Sequence, residues 1–139
     1  MGEYAIQEAQ EGLGDAGSPG AGLRGLIREL FISGLPLNVH SNVLAADIVV
    51  KPRPGYLLGM TVNNTNAAAQ YVLLFDAATL PADGAVPCTS FTVPASSHLA
   101  VYFNTPGRAF LTGIVACNSS TADSKTIGSA DCFFDAQFI

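Results

Sequence analysis

The 139-residue sequence contains no tryptophan, few charges and few bases. Only 12% of residues are charged, and six Lys and Arg face eleven Asp and Glu, for a net charge of −5. A binder of nucleic acid needs a concentrated basic footprint, so direct nucleic-acid binding is not expected. Long apolar runs are also missing. The longest, such as Tyr71 to Phe75, are far shorter than the roughly 20 residues of a membrane-spanning helix, so no membrane partner is expected. Disorder of the whole chain is excluded from the other side, because 49% of residues are hydrophobic. A chain of this length is expected to bury about two-thirds of its unfolded surface, enough for one core.

Cysteine is scarce and wrongly spaced for metal. Cys88, Cys117 and Cys132 form no CxxC or CxxH pair, so zinc is not expected. Each sits in an apolar stretch, and three buried, reduced thiols are expected. The acidic start Met1-Gly2-Glu3-Tyr4 has neither the basic nor the apolar region of a secretory signal. Asn63-Asn64-Thr65 and Asn118-Ser119-Ser120 match the glycosylation pattern and are read as polar turn residues.

Catalytic constellations are thin as well. His40 and His98 are the two histidines, with no G-x-S-x-G elbow and no spaced partner, so both are read as surface or rim residues. His-x-His and His-x-x-x-Glu spacings are missing, which removes a cupin-like metal site. Gly17-Ser18-Pro19-Gly20-Ala21-Gly22 lacks the Gly-Lys-Ser/Thr ending of a phosphate loop. Asp76, Asp83, Asp131 and Asp135 fall at strand ends or turns, where Asp is ordinary. No enzyme activity, cofactor or metal is expected from these residues. Sugar binding would recruit aromatic platforms, and most Phe follow core patterns instead.

What the sequence does have is a division. Seven of its fourteen glycines lie in the first 25 residues. Residues 1–50 carry six acids and two bases, residues 51–139 five acids and four bases. Residues 1–36 therefore read as a Gly-rich N-terminal arm and residues 37–139 as a β-domain. The apolar residues Tyr4, Ile6, Leu13 and Leu23 are too few for a core, so the arm is expected to lie on another chain or on its own domain. Leu23, Leu26, Ile27, Leu30 and Phe31 follow the stripe of a short amphipathic helix. Gly25 weakens a helix and Leu30-Phe31-Ile32 could as well be a strand, so both readings stand. Arg24 and Arg28, four residues apart, suit a partner contact or a solvated face. The candidate contact residues are Tyr4, Ile6, Leu13, Arg24, Leu26, Ile27, Arg28 and Phe31.

From residue 37 the pattern is strands, about eight of them: 37–41, 43–51, 56–63, 70–75, 88–93, 98–104, 109–118 and 132–138. Val, Ile, Phe, Tyr and Thr fill them. Turns such as Pro52-Arg53-Pro54-Gly55, Asn63-Asn64-Thr65-Asn66, Pro81-Ala82-Asp83-Gly84 and Asn104-Thr105-Pro106-Gly107 separate them. Leu99, Val101 and Phe103 oppose His98, Ala100 and Tyr102; Phe134, Ala136 and Phe138 oppose Asp135 and Gln137. Tyr71 to Phe75 is apolar on both faces, as a strand covered twice would be. The fold class is all-β, a sandwich or barrel, and the alternation supports two packed sheets.

Three stretches carry a family resemblance. They are Gly55-Tyr56-Leu57-Leu58-Gly59-Met60-Thr61-Val62-Asn63-Asn64 leading to Gln70-Tyr71-Val72-Leu73-Leu74-Phe75-Asp76-Ala77, then Leu80-Pro81-Ala82-Asp83-Gly84-Ala85-Val86-Pro87, and finally Gly107-Arg108-Ala109-Phe110 through Thr112-Gly113-Ile114-Val115-Ala116-Cys117-Asn118 to Ala130-Asp131-Cys132-Phe133-Phe134. Over residues 43–139 the succession resembles the jelly-roll cement, or decoration, proteins of tailed-bacteriophage capsids. The resemblance implies the jelly-roll form of the two-sheet sandwich, and a structural protein made in the host cytoplasm and placed on the capsid exterior. It implies the major capsid protein as partner and a homo-oligomer, for which two-fold pairing is the commonest symmetry. Similar domains occur in phage tail and fibre proteins, so a receptor-binding module is the alternative.

Overall fold

The computed structural model describes residues 34–139. Residues 1–33 of the arm, the helix or strand at 23–31 and all eight candidate contact residues lie outside the described residues.

Nine strands run through the domain: β1 (Leu37–His40), β2 (Asp47–Lys51), β3 (Gly55–Asn64), β4 (Gln70–Asp76), β5 (Thr89–Val93), β6 (Ser97–Tyr102), β7 (Arg108–Phe110), β8 (Ile114–Ser119) and β9 (Cys132–Phe138). No helix occurs among the described residues. One sheet has the order β1-β9-β3-β6, with β7 also on β3; the other has the order β2-β8-β4-β5. All pairings are antiparallel.

This order is a folded-over hairpin. β1 pairs with β9, β2 with β8, β3 with β6, and β4 with β5, so outer strands of the chain embrace inner ones. Lateral pairing of β9 on β3 and of β8 on β4 then rolls the hairpin into two sheets. That is the jelly roll: the two-sheet sandwich the alternation supports, in the form the resemblance implies.

Eight strands are expected and nine are found, because the stretch 109–118 breaks. β7 continues β6 along the same edge of β3: Gly59 pairs with Tyr102, then Leu57 with Arg108, and residues 103–107 bulge between them. Gly107 closes that bulge at φ +99°, with its amide donating to Asn104 O at 2.6 Å. The chain then turns at residues 111–113 and enters the other sheet as β8. Gly113 permits the corner, since a Cβ there would lie 2.4 Å from Ala77 O. The expected strand at 43–51 begins instead at Asp47. Residues 41–46 carry the chain from one sheet to the other: Ser41 N still donates to Phe134 O, Ala45 pairs with Cys132, and Ala46 O accepts from Asn118 N on β8.

Alternating side chains fill the space between the sheets. Leu57, Met60, Val62, Val72, Leu74, Val93, Phe110, Ile114, Ala116, Phe134 and Ala136 form the core, with Phe91, Leu99, Phe103 and Phe138 half-buried at its rim. A second cluster of Leu73, Phe75, Val115 and Cys117 lies on the opposite side of β4 and β8. The two-faced apolar run of Tyr71 to Phe75 is thus covered twice.

Cys117 and Cys132 are buried and all three cysteines are free, but Cys88 is exposed. It shares the outward register of Ser90 and Thr92 at the edge of its sheet, where its Sγ donates to Leu74 O at 3.2 Å. Asn63, Asn64 and Asn118 lie within strands and not in turns, and Asn118 is buried with Nδ2 donating to Ser129 O.

Candidate functional site

Two packed sheets have four faces. Two of them form the core. A third, the outer face of β2-β8-β4-β5, is covered over β8 and β4 by the protein's own connections, while Ser90 and Thr92 on the edge strand β5 stay exposed. Residues 77–88 and 120–131 meet there: Gly84 N donates to Lys125 O and Lys125 N to Ala85 O, both at 2.8 Å. The Lys125 ammonium donates to Pro81 O at 2.7 Å. Ala77 and Ala85 pack on the Leu73, Phe75, Val115 and Cys117 cluster beneath. Burial in this cluster pushes the Cys117 thiol up to about 11, against a smaller downward pull from Lys125. Cys132 is likewise pushed up to about 11 by burial, with Asp131 adding to the rise. Both remain protonated and unreactive at neutral pH.

The fourth face, on the outside of β1-β9-β3-β6, has no such cover among the described residues. The registers set out its rows. His40 lies opposite Asp135, which lies opposite Thr61, which lies opposite Ala100. Beside that row run Asn38, Gln137, Gly59 and Tyr102, and on the other side Phe133, Asn63 and His98. Asp135 is the one charged residue in these rows. Asn38, with its amide turned to donate, reaches Asp135 Oδ1 at 2.7 Å and Ala136 O at 3.2 Å. Tyr102 is 76% exposed and lies across Gly59, whose Cβ would be 2.9 Å from the Tyr102 ring. Phe133 is 39% exposed. A face poor in charge and carrying aromatic side chains has the composition of the centre of a protein–protein interface.

Both histidines fall on this face, exposed, as surface residues should. The carboxylates do not converge. Asp76 accepts the amides of Leu111, Thr112 and Gly113, which hold its carboxyl below the usual carboxylate range. Asp131 accepts from Asn66 Nδ2 at 2.8 Å and so ties two loops. Among the described residues no three His, Cys, Asp or Glu side chains gather where a metal ion could sit. A cavity of about 10 Å³ between the sheets is lined by Met60, Val62, Leu74, Phe91, Val93 and Phe103 among other apolar residues. It has room for about one water molecule.

The residues of the open face were not singled out as contacts from the sequence. The signal was the strand alternation itself: Asp135 and Gln137, like His98, Ala100 and Tyr102, occupy the positions opposite core side chains. What no pattern reveals is which of the two outer faces the loops close.

No family model matches the chain, and no curated protein matches it. Among solved structures the coat protein of Tobacco streak virus is similar over 74% of this chain and 84% of that one, at 10% identity and a TM-score of 0.35. A likeness this weak bears on neither fold nor role, and the architecture rests on the strand order.

Proposed function

We propose that the protein is a non-catalytic, structural component of a virion. It binds the outside of an icosahedral phage capsid, cements adjacent major capsid subunits and self-associates. The observation that carries this reading is the asymmetry of the sandwich: one outer face is covered by Lys125 and its loop partners, while the other, without such cover among the described residues, is nearly uncharged and set with Tyr102 and Phe133. A rigid platform with one open face is what a shell-binding protein needs. The resemblance of residues 43–139 to decoration proteins supports the same role.

The arm supplies the second grip. Tyr4, Ile6, Leu13, Arg24, Leu26, Ile27, Arg28 and Phe31 are its contact residues in this proposal. Two contacts on one chain raise the effective concentration of the second, so a short arm adds firm attachment without a larger body.

Copy number and a truncation test the role together. In purified virions the protein is expected over the whole shell, at a number tied to that of the major capsid protein. Copies confined to a tail or fibre would overturn cementing in favour of the receptor-binding module. Deleting residues 1–25 is expected to leave a folded domain that no longer decorates capsids. Decoration at full strength by that truncation would remove the arm from the mechanism.

A further inference from the structure

We infer that β6 joins two copies of this chain into one continuous sheet across a two-fold axis. The inference rests on the self-association proposed above and names the strand that performs it. β6 is the last strand of its sheet, and β3 occupies one of its edges. The Phe103 amide donates to Leu58 O on β3 at 2.9 Å. Amides alternate in direction along a strand, so those of Val101, Leu99 and Ser97 also point to β3. The amides of His98, Ala100 and Tyr102 point the other way, to an edge that no strand covers among the described residues.

Edge strands are ordinarily blunted by charge, proline or a bulge. At the opposite side of the sandwich β2 has all but the proline: Asp47 and Lys51 at its ends and a register shift between Val49 and Lys51. β6 has none of these between Ser97 and Tyr102, and the bulge of residues 103–107 follows it outside that span. The sequence holds no Asp, Glu, Lys or Arg anywhere between Asp83 and Arg108. That uncharged stretch decides the occupant. Two copies of a chain with net charge −5 repel, and they meet most cheaply where neither brings a charge.

The strand is also complementary to itself. Antiparallel pairing about Ala100 sets Ala100 opposite Ala100 and His98 opposite Tyr102 of the second copy. Leu99 then meets Val101 on the core side. His98, Ala100 and Tyr102 all exchange N–H···O=C bonds in that register, about six in all. The open faces of the two copies merge into one doubled platform.

Ala100→Pro tests the strand. The Ala100 amide has no partner among the described residues, and proline is tolerated at such an edge position, but it blocks pairing. Sedimentation of the 139-residue chain is expected to give twice its 14.4-kDa mass, and Ala100→Pro the single mass. If both sediment as dimers, β6 pairing is overturned and self-association stands. If the natural sequence is a monomer at the highest soluble concentration, self-association fails with it. Should Ala100→Pro not fold, amide exchange on the natural sequence decides. The amides of His98, Ala100 and Tyr102 are expected to be protected in the dimer and to lose that protection on dilution. Exchange at those three positions as fast as in the loops of a dimer overturns the pairing.

Discussion

The Thr112 amide meets the Asp76 carboxylate at 2.7 Å, and this contact holds the corner where the chain leaves one sheet for the other. Leu111 and Gly113 donate to the same carboxylate at 3.1 and 3.3 Å. Three backbone donors favour the ionised form, so the folded pKa lies below the unfolded value of about 3.9. The stabilisation is present above that value and is lost as pH falls through the folded pKa. Asp76→Asn is therefore expected to melt below the natural protein at pH 7, with the gap narrowing once the pH drops under about 4. Thermal melts across that range check it. A gap that stays constant down to pH 2 would show that the carboxylate's charge is not what holds the corner.

Thiol labelling should separate the three cysteines. Cys88 is exposed, whereas Cys117 and Cys132 are buried with their thiols pushed up to about 11. One thiol per native chain is expected to react with an aromatic disulfide reagent at pH 8, and all three after unfolding. The buried pair also sets an alkaline limit. A folded pKa above the unfolded one means that the native state holds protons the unfolded state releases. Stability should then fall as pH rises from about 9 towards 11. Cys117→Ala and Cys132→Ala are each expected to flatten that decline. Fast labelling of two thiols in the native protein would contradict the burial.

Asn64 is a buried amide that fastens the loops at one end of the sandwich. Its Nδ2 donates to Ala68 O at 3.0 Å and to Pro94 O at 3.1 Å, and its Oδ1 accepts from the Asn66 amide at 2.9 Å. Asn64→Leu removes these bonds, together with a longer one from Nδ2 to Val93 O at 3.4 Å, and strands backbone groups beneath an apolar side chain. The expected cost is about 2–3 kcal/mol, read from urea unfolding. A loss under about 0.5 kcal/mol, within the range of an ordinary surface change, would mean that water replaces the amide.

Much of this architecture was legible in the sequence. Leu99, Val101 and Phe103 against His98, Ala100 and Tyr102 mark a half-buried strand, and Tyr71 to Phe75 marks one covered twice. Local alternation carries that information. The break in 109–118 is different, since it depends on Asp76 reaching the amides of Leu111 to Gly113 and on Ala77 lying against Gly113. Those contacts join residues more than thirty apart, and no local pattern announces them. Lys125 closing on Ala85 is of the same kind, and it decides which outer face remains open. Cys88 misled because its neighbours are apolar while its register points outward at a sheet edge. The contact residues proposed from sequence all lie in the arm, whereas the uncovered face is assembled from β1, β9, β3 and β6, strands far apart in the chain.

Phe133 and Phe134 are neighbours that separate folding from binding. Phe134 is 1% exposed in the core and Phe133 is 39% exposed on the open face. Phe134→Ala empties core volume and is expected to cost about 3–5 kcal/mol. Phe133→Ala should stay within about 0.5 kcal/mol, because its side chain keeps much of its contact with water. Phe133→Glu is the sharper variant, since it leaves the core intact and places a charge amid a nearly uncharged face. It is expected to unfold at the same urea concentration as the natural protein and to bind capsids at least tenfold more weakly. Equal stability with undiminished capsid binding would show that the shell is gripped elsewhere, and the open face would lose its proposed role.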